Sequence, residues 1–138
     1  MAQTVQDAMT SNPCTIEADK DVAYAAKMMK DEDVGVAPIV EGDQLIGVLT
    51  DRDIAIKVVA EGMDPMSTKV REIASTNLVT VDPRQDLDEA LRLMAKHQVR
   101  RLPVVEEDGK IVGILAQRDV ALKGDDAKTG EVVEQISR

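Results

Sequence analysis

Apolar positions along the chain change period several times, and each change marks an element. Val22, Ala25, Ala26 and Met29 fall at i, i+3, i+4 and i+7, one face of a helix, with Asp21 placed to cap its start. Asp33 to Gly35 end it. Two β-rich runs, 36–40 and 45–49, flank Glu41-Gly42-Asp43-Gln44, a hairpin signal because glycine tolerates the positive φ of a tight turn. Pro38 lacks an N–H donor and is expected at the start or edge of its strand. After Asp51, a further helix carries Ile54, Ala55 and Val58 on one side and stops near Gly62. Upstream, Thr4-x-x-Asp7 opens a short helix with Val5, Ala8 and Met9, and Asn12-Pro13 turns the chain into a brief strand over 14–16.

The same order then returns. A short helix over 70–74 precedes a strand over 78–81 and a helix from Asp86, with Asp86-x-x-Glu89 as its capping box and Leu87, Ala90, Leu91 and Met94 as its apolar face. Runs 102–105 and 111–115 form a second hairpin around Asp108-Gly109. Thr15, Asp21, Met29 and Pro38 reappear as Thr80, Asp86, Met94 and Pro103 at an offset of 65. One extra residue in the second turn makes the offset 66, so GVLTDRD at 47–53 becomes GILAQRD at 113–119. Two copies are too few for a solenoid, so each copy is expected to bury its sheet against its twin. The repeats are bounded as 5–61 and 66–124, and the polar stretch 125–138 forms a tail or short docking helix.

Composition narrows the function. Among 138 residues Tyr24 is the sole aromatic, so the core is aliphatic and base stacking is essentially excluded. Seventeen basic against 26 acidic side chains give a net charge of −9, which argues against broad contact with nucleic acid or an anionic membrane. The N-terminus lacks a signal-peptide pattern and no apolar run reaches membrane-span length, which leads to the expectation of a soluble cytoplasmic protein.

The junction between strand and helix carries the chemistry. Thr50 and Asp53 stand three apart where backbone N–H groups lie open, so a hydroxyl and a carboxylate would share one mouth. A ligand with hydroxyls could use both; equally, Thr-x-x-Asp is a capping box serving only the helix. Cys14 cannot form an intrachain disulfide and reads either as a buried apolar residue or as a thiol switch. His97, the one histidine, has no Cys or His companion for a metal and serves a helix C-terminus. No nucleophile–base set or glycine-rich phosphate loop is visible, so no catalytic residue and no catalytic cofactor are assigned.

Strand, amphipathic helix, hairpin and then G-h-h-T-x-x-D leading into a helix, twice, resembles a tandem cystathionine-β-synthase (CBS) domain pair, or Bateman module. Val36-Ala37-Pro38 and Arg101-Leu102-Pro103 before the hairpins strengthen the likeness. It implies an α/β (α+β) fold of two βαββα repeats packed with pseudo-two-fold symmetry, and two clefts that take adenosine compounds such as AMP, ADP or ATP. By this resemblance Asp53 accepts from ribose hydroxyls, Thr50 holds ribose or phosphate, and Leu78, Val79, Thr80, Val99 and Pro103 receive adenine. Arg100 and Arg101 would then face phosphate, where bidentate contacts suit a guanidinium. A weaker cleft draws on Asp119, Thr15, Ile16, Val36, Ala37 and Pro38, because Ala116 replaces the hydroxyl residue and Gly35 and Val36 stand where the arginines would be. The implied protein is a non-enzymatic regulatory sensor, a homodimer acting on a protein effector. Its alternatives are a ligand-free scaffold and a redox- or stress-responsive protein acting through Cys14.

Overall fold

The computed structural model describes residues 3–123, the side chains of 121–123 excepted. The tail 125–138 lies outside that range. The chain divides into two compact units, Cys14–Leu78 and the described parts of Met1–Pro13 and Val79–Arg138.

Within Cys14–Leu78 the elements are β2 (Ile16–Glu17), α2 (Val22–Glu32), β3 (Val36–Glu41), β4 (Gln44–Thr50), α3 (Asp51–Ile54), a π-helical turn (Ala55–Val59) and α4 (Val70–Ile73). Strand order is β2-β3-β4, parallel and then antiparallel. The other unit holds α1 (Val5–Ala8), β1 (Thr10–Ser11), α5 (Leu87–His97), β5 (Arg101–Val105), β6 (Ile111–Ala116) and α6 (Gln117–Lys123), with strand order β1-β6-β5. Asp21 caps α2 as expected, its Oδ1 accepting the Tyr24 N–H at 2.7 Å, and Asp33 ends the helix in the left-handed conformation. Gly42 and Gly109 take the positive φ their turns require.

The sequence repeats and the compact units do not coincide. Val70 and Ile73, which open the second repeat, are buried with Ile16, Val22, Ile39 and Leu49, whereas Val5 and Ala8, which open the first, are buried with Leu87, Met94, Leu102 and Leu115. Each leading helix therefore completes the core of the other repeat's hairpin and helix. The backbone stitches are equivalent in both units: Val70 N–H to Lys20 C=O matches Val5 N–H to Gln85 C=O, and Val22 N–H to Thr68 C=O matches Leu87 N–H to Gln3 C=O, all at 2.9 Å. Repeat boundaries of 5–61 and 66–124 remain a description of the sequence. The bodies that bury apolar surface exchange their first segments.

That exchange explains the glycine of each signature stretch. A Cβ on Gly47 would lie 3.0 Å from the Ser75 carbonyl oxygen, and one on Gly113 would lie 2.9 Å from that of Thr10. The exchanged segment crosses there, pairing Ser75 with Val48 and β1 with β6.

Four local expectations change. Residues 78–81 form no strand; only Val81 bridges Val104, because its neighbours lack partners. Pro38 sits inside β3, not at its start or edge. Val48, opposite it, exchanges both backbone bonds with Ser75, so the missing donor points away from β4, past the end of the two-residue β2. Asp86 makes no side-chain cap bond, so the Asp86–Glu89 capping box is absent. Beyond Ile54 the helix widens, with Ala60 N–H reaching Ala55 C=O at 2.9 Å; Val58 is buried but Ala55 is exposed and Ile54 only half-buried.

Candidate functional site

β4 delivers Thr50 to the first turn of α3, and the two readings of Thr-x-x-Asp meet in one geometry. Thr50 Oγ1 accepts the Asp53 N–H at 3.0 Å, and Asp53 Oδ2 accepts the Thr50 N–H at 3.0 Å, a complete capping box. Asp53 Oδ1 pairs with Lys57 Nζ at 3.3 Å, and Lys57 also donates to the Ile73 carbonyl at 3.0 Å. The Asp53 side chain is only 13 % exposed. Even so, each carboxylate oxygen retains a lone-pair direction, and the Thr50 hydroxyl retains its proton. Lys57 escaped the sequence reading. Its signal was the i, i+4 spacing from Asp53, an acid–base order that suits a helix.

The second copy differs. Ala116 offers no hydroxyl, and among the described residues the side chain of Asp119, half-buried, has neither hydrogen bond nor ion pair. The strand starts lie beside the signature helices of their own units. Val36 pairs with Thr50, and the Asp51 N–H donates to Gly35 C=O at 3.0 Å. Likewise Arg101 pairs with Ala116, and the Gln117 N–H donates to Arg100 C=O at 2.8 Å. Thr15, Ile16, Val36, Ala37 and Pro38 thus belong with Thr50 and Asp53 to one unit, which Leu78 ends. Val79, Thr80, Val99, Arg100, Arg101, Pro103 and Asp119 belong to the other. Ile16, Ala37, Pro38 and Pro103 are buried, Val36, Leu78, Val79 and Val99 half-buried, and Thr15, Thr80, Arg100 and Arg101 exposed.

Elsewhere, Arg84 bridges Asp82 and Glu107 beside a groove of about 470 Å³. Its side-chain hydrogen bond, then its backbone N–H, hold the Asp82 carboxyl below the usual carboxylate range. Asp82 and, to a lesser degree, Glu107 in turn hold the Arg84 proton more firmly than usual. Cys14 is exposed, not a buried apolar residue, and His97 ends α5 as a last-turn cation. Among the described residues no three His, Cys, Asp or Glu side chains converge to hold a metal, and no helix is long and apolar enough to cross a membrane.

Residues 5–60 and 70–124 match the CBS domain, twice in one chain. The chain belongs to the CBS domain family. This CBS pair is 44 % identical to the CBS domain-containing protein YhcV of Bacillus subtilis, over 86 % of this chain and 84 % of that one. It is 38 % identical to hypoxic response protein 1 of Mycobacterium tuberculosis, over 86 % and 82 %. The crystal structure of Hypoxic Response Protein I, with two coordinated zinc ions, superposes on the CBS pair with a TM-score of 0.79, covering 87 % of this chain and 98 % of that one at 37 % identity. A hexameric CBS-CP12 protein from bloom-forming cyanobacteria gives 0.75 over 92 % and 71 %, at 33 % identity. The CBS domain pair of protein MJ0100, in complex with 5′-methylthioadenosine and S-adenosyl-L-methionine, gives 0.76 over 88 % and 95 %, at 27 % identity. The expected mixed α/β fold of a Bateman module is therefore that of this chain.

Proposed function

We propose that this CBS pair is a non-enzymatic sensor that binds an adenosine compound, with Asp53 accepting from the ribose hydroxyls and Thr50 donating its free hydroxyl proton. The observation that carries the reading is the Asp53 carboxylate: 13 % exposed, held by the Thr50 N–H and ion-paired with Lys57, and still possessing acceptor directions for a vicinal diol. The adenosine ligands of MJ0100 support the ligand class. Leu78, Val79, Thr80, Val99 and Pro103 are proposed to receive the base, and Arg100 and Arg101 to meet an anionic group. Asp119, with Thr15, Ile16, Val36, Ala37 and Pro38, forms the weaker counterpart because Ala116 contributes no hydroxyl. Occupancy acts by shifting populations, limited by the ligand's differential affinity for two states, and is passed to a protein effector.

A homodimer belongs to the same proposal. Tyr24, Ile56 and Val59 are 49, 50 and 71 % exposed on the Cys14–Leu78 unit, apolar area that an isologous contact would cover. The ligand-free scaffold is the rival, favoured by a capping box already complete without ligand.

Thermal unfolding with AMP, ADP, ATP and adenosine separates the two. At a hundredfold excess over Kd, a binding compound adds about 2.7 kcal/mol, a rise of roughly 5–10 °C. No rise with any of them would leave the scaffold.

A further inference from the structure

We propose that Lys57, in addition to Arg100 and Arg101, makes the Thr50–Asp53 site selective for adenosine compounds bearing an anionic group, so that nucleoside phosphates are favoured over uncharged relatives. This rests on Asp53 being the sugar-binding carboxylate. Alone, a carboxylate 13 % exposed presents a poorly solvated negative charge to whatever binds beside it, and like charges in a partly desolvated setting repel strongly. A phosphate carried on the same sugar would meet that repulsion. Lys57 reverses it. Its ammonium lies 3.3 Å from Asp53 Oδ1, so the pair is neutral as a unit.

The lysine is also held in place. One of its three protons is committed to the Ile73 carbonyl at 3.0 Å, and the ammonium is ion-paired with Asp53 at 3.3 Å. A further N–H remains, on a side chain 44 % exposed, available to an anion as a charge-assisted donor. Because Ile73 is the last residue of α4 and is itself buried in the core, the anchor for the ammonium is rigid. Less side-chain freedom is then lost when ligand binds. Within the π-helical turn Lys57 reaches Asp53, while its neighbour Ile56 is 50 % exposed.

Calorimetric titration of AMP and adenosine into the wild type, Lys57→Met, Lys57→Gln and Lys57→Arg tests this. The wild type is expected to bind AMP at least about tenfold more tightly than adenosine, and both Met and Gln variants to compress that ratio below about threefold. Lys57→Arg retains the ratio, and raising salt lowers it in the wild type. Gln keeps a donor for Ile73 without the charge, so it holds the test together if Met unfolds the chain. A purely structural role weakens both ligands equally and leaves the ratio intact, which overturns the inference. Wild-type binding of both ligands with equal affinity overturns it too, while leaving adenosine binding standing. Failure of the wild type to bind either ligand overturns both readings.

Discussion

Asp53 and Asp119 occupy the same position in two copies of one signature, yet only Asp53 has its neighbours engaged. Both its oxygens are bonded within the unit, through the Thr50 N–H and Lys57, whereas Asp119 has no partner among the described residues. Asp53→Ala should therefore destabilise the fold by about 1–2 kcal/mol, the range for lost caps, and Asp119→Ala by less than about 0.5 kcal/mol. Urea unfolding of both variants checks this, and equal losses would contradict the contrast. In a nucleotide titration, Asp53→Ala should abolish the stabilisation by AMP, and Asp119→Ala should reduce it less. Arg84 provides a pH-dependent case. Its contacts lower the Asp82 pKa in the fold, so their contribution is present above the unfolded carboxylate pKa and is lost as pH falls through the folded value. The midpoint difference between wild type and Arg84→Ala, small because the pair is exposed, should shrink further below about pH 4.

Helices and hairpins were legible where their signals are local. Val22, Ala25 and Met29 of the α2 face, though not the exposed Ala26, the Asp21 cap, both glycine turns and the Thr50–Asp53 box follow from spacings of two to seven residues, which backbone geometry reads directly. Elements that depend on distant partners were not. The stretch 78–81 has strand composition but pairs only at Val81, and Pro38 is tolerated mid-strand because β2 begins only opposite Ile39. At the signature strands the exchanged segment lies against the backbone, so Gly47→Ala and Gly113→Ala should each cost about 1–3 kcal/mol, since carbonyl oxygens at 3.0 and 2.9 Å must move. Thermal unfolding reads the effect, and an unchanged midpoint would show that the crossing is loose.

At the scale of the molecule, the exposed large apolar side chains of the described residues all belong to the Cys14–Leu78 unit: Tyr24, Val34, Ile56, Val59, Met63 and Met66. Such asymmetry fits an association surface on one unit only. Sedimentation of the wild type should reveal concentration-dependent dimers, and the double substitution Ile56→Asp, Val59→Asp should leave monomers without lowering the unfolding midpoint of the monomer. Persistence of the dimer in that variant would move the interface elsewhere.

From the sequence alone came the duplication, the helix–hairpin–helix order shared by the copies, the Asp21 cap, the turns and the paired Thr50 and Asp53, because these are periodic or short-range properties that survive without a fold. Only the tertiary structure decided that the leading helices trade places. Val5 with Ala8 and Val70 with Ile73 are interchangeable as apolar stripes, and a pattern of spacings cannot choose which of two similar hydrophobic faces each will cover. The engagement of Asp53 by Lys57, and of Lys57 by the carbonyl of Ile73, depends on that choice, since α4 brings Ile73 into reach only by packing into the first repeat's core.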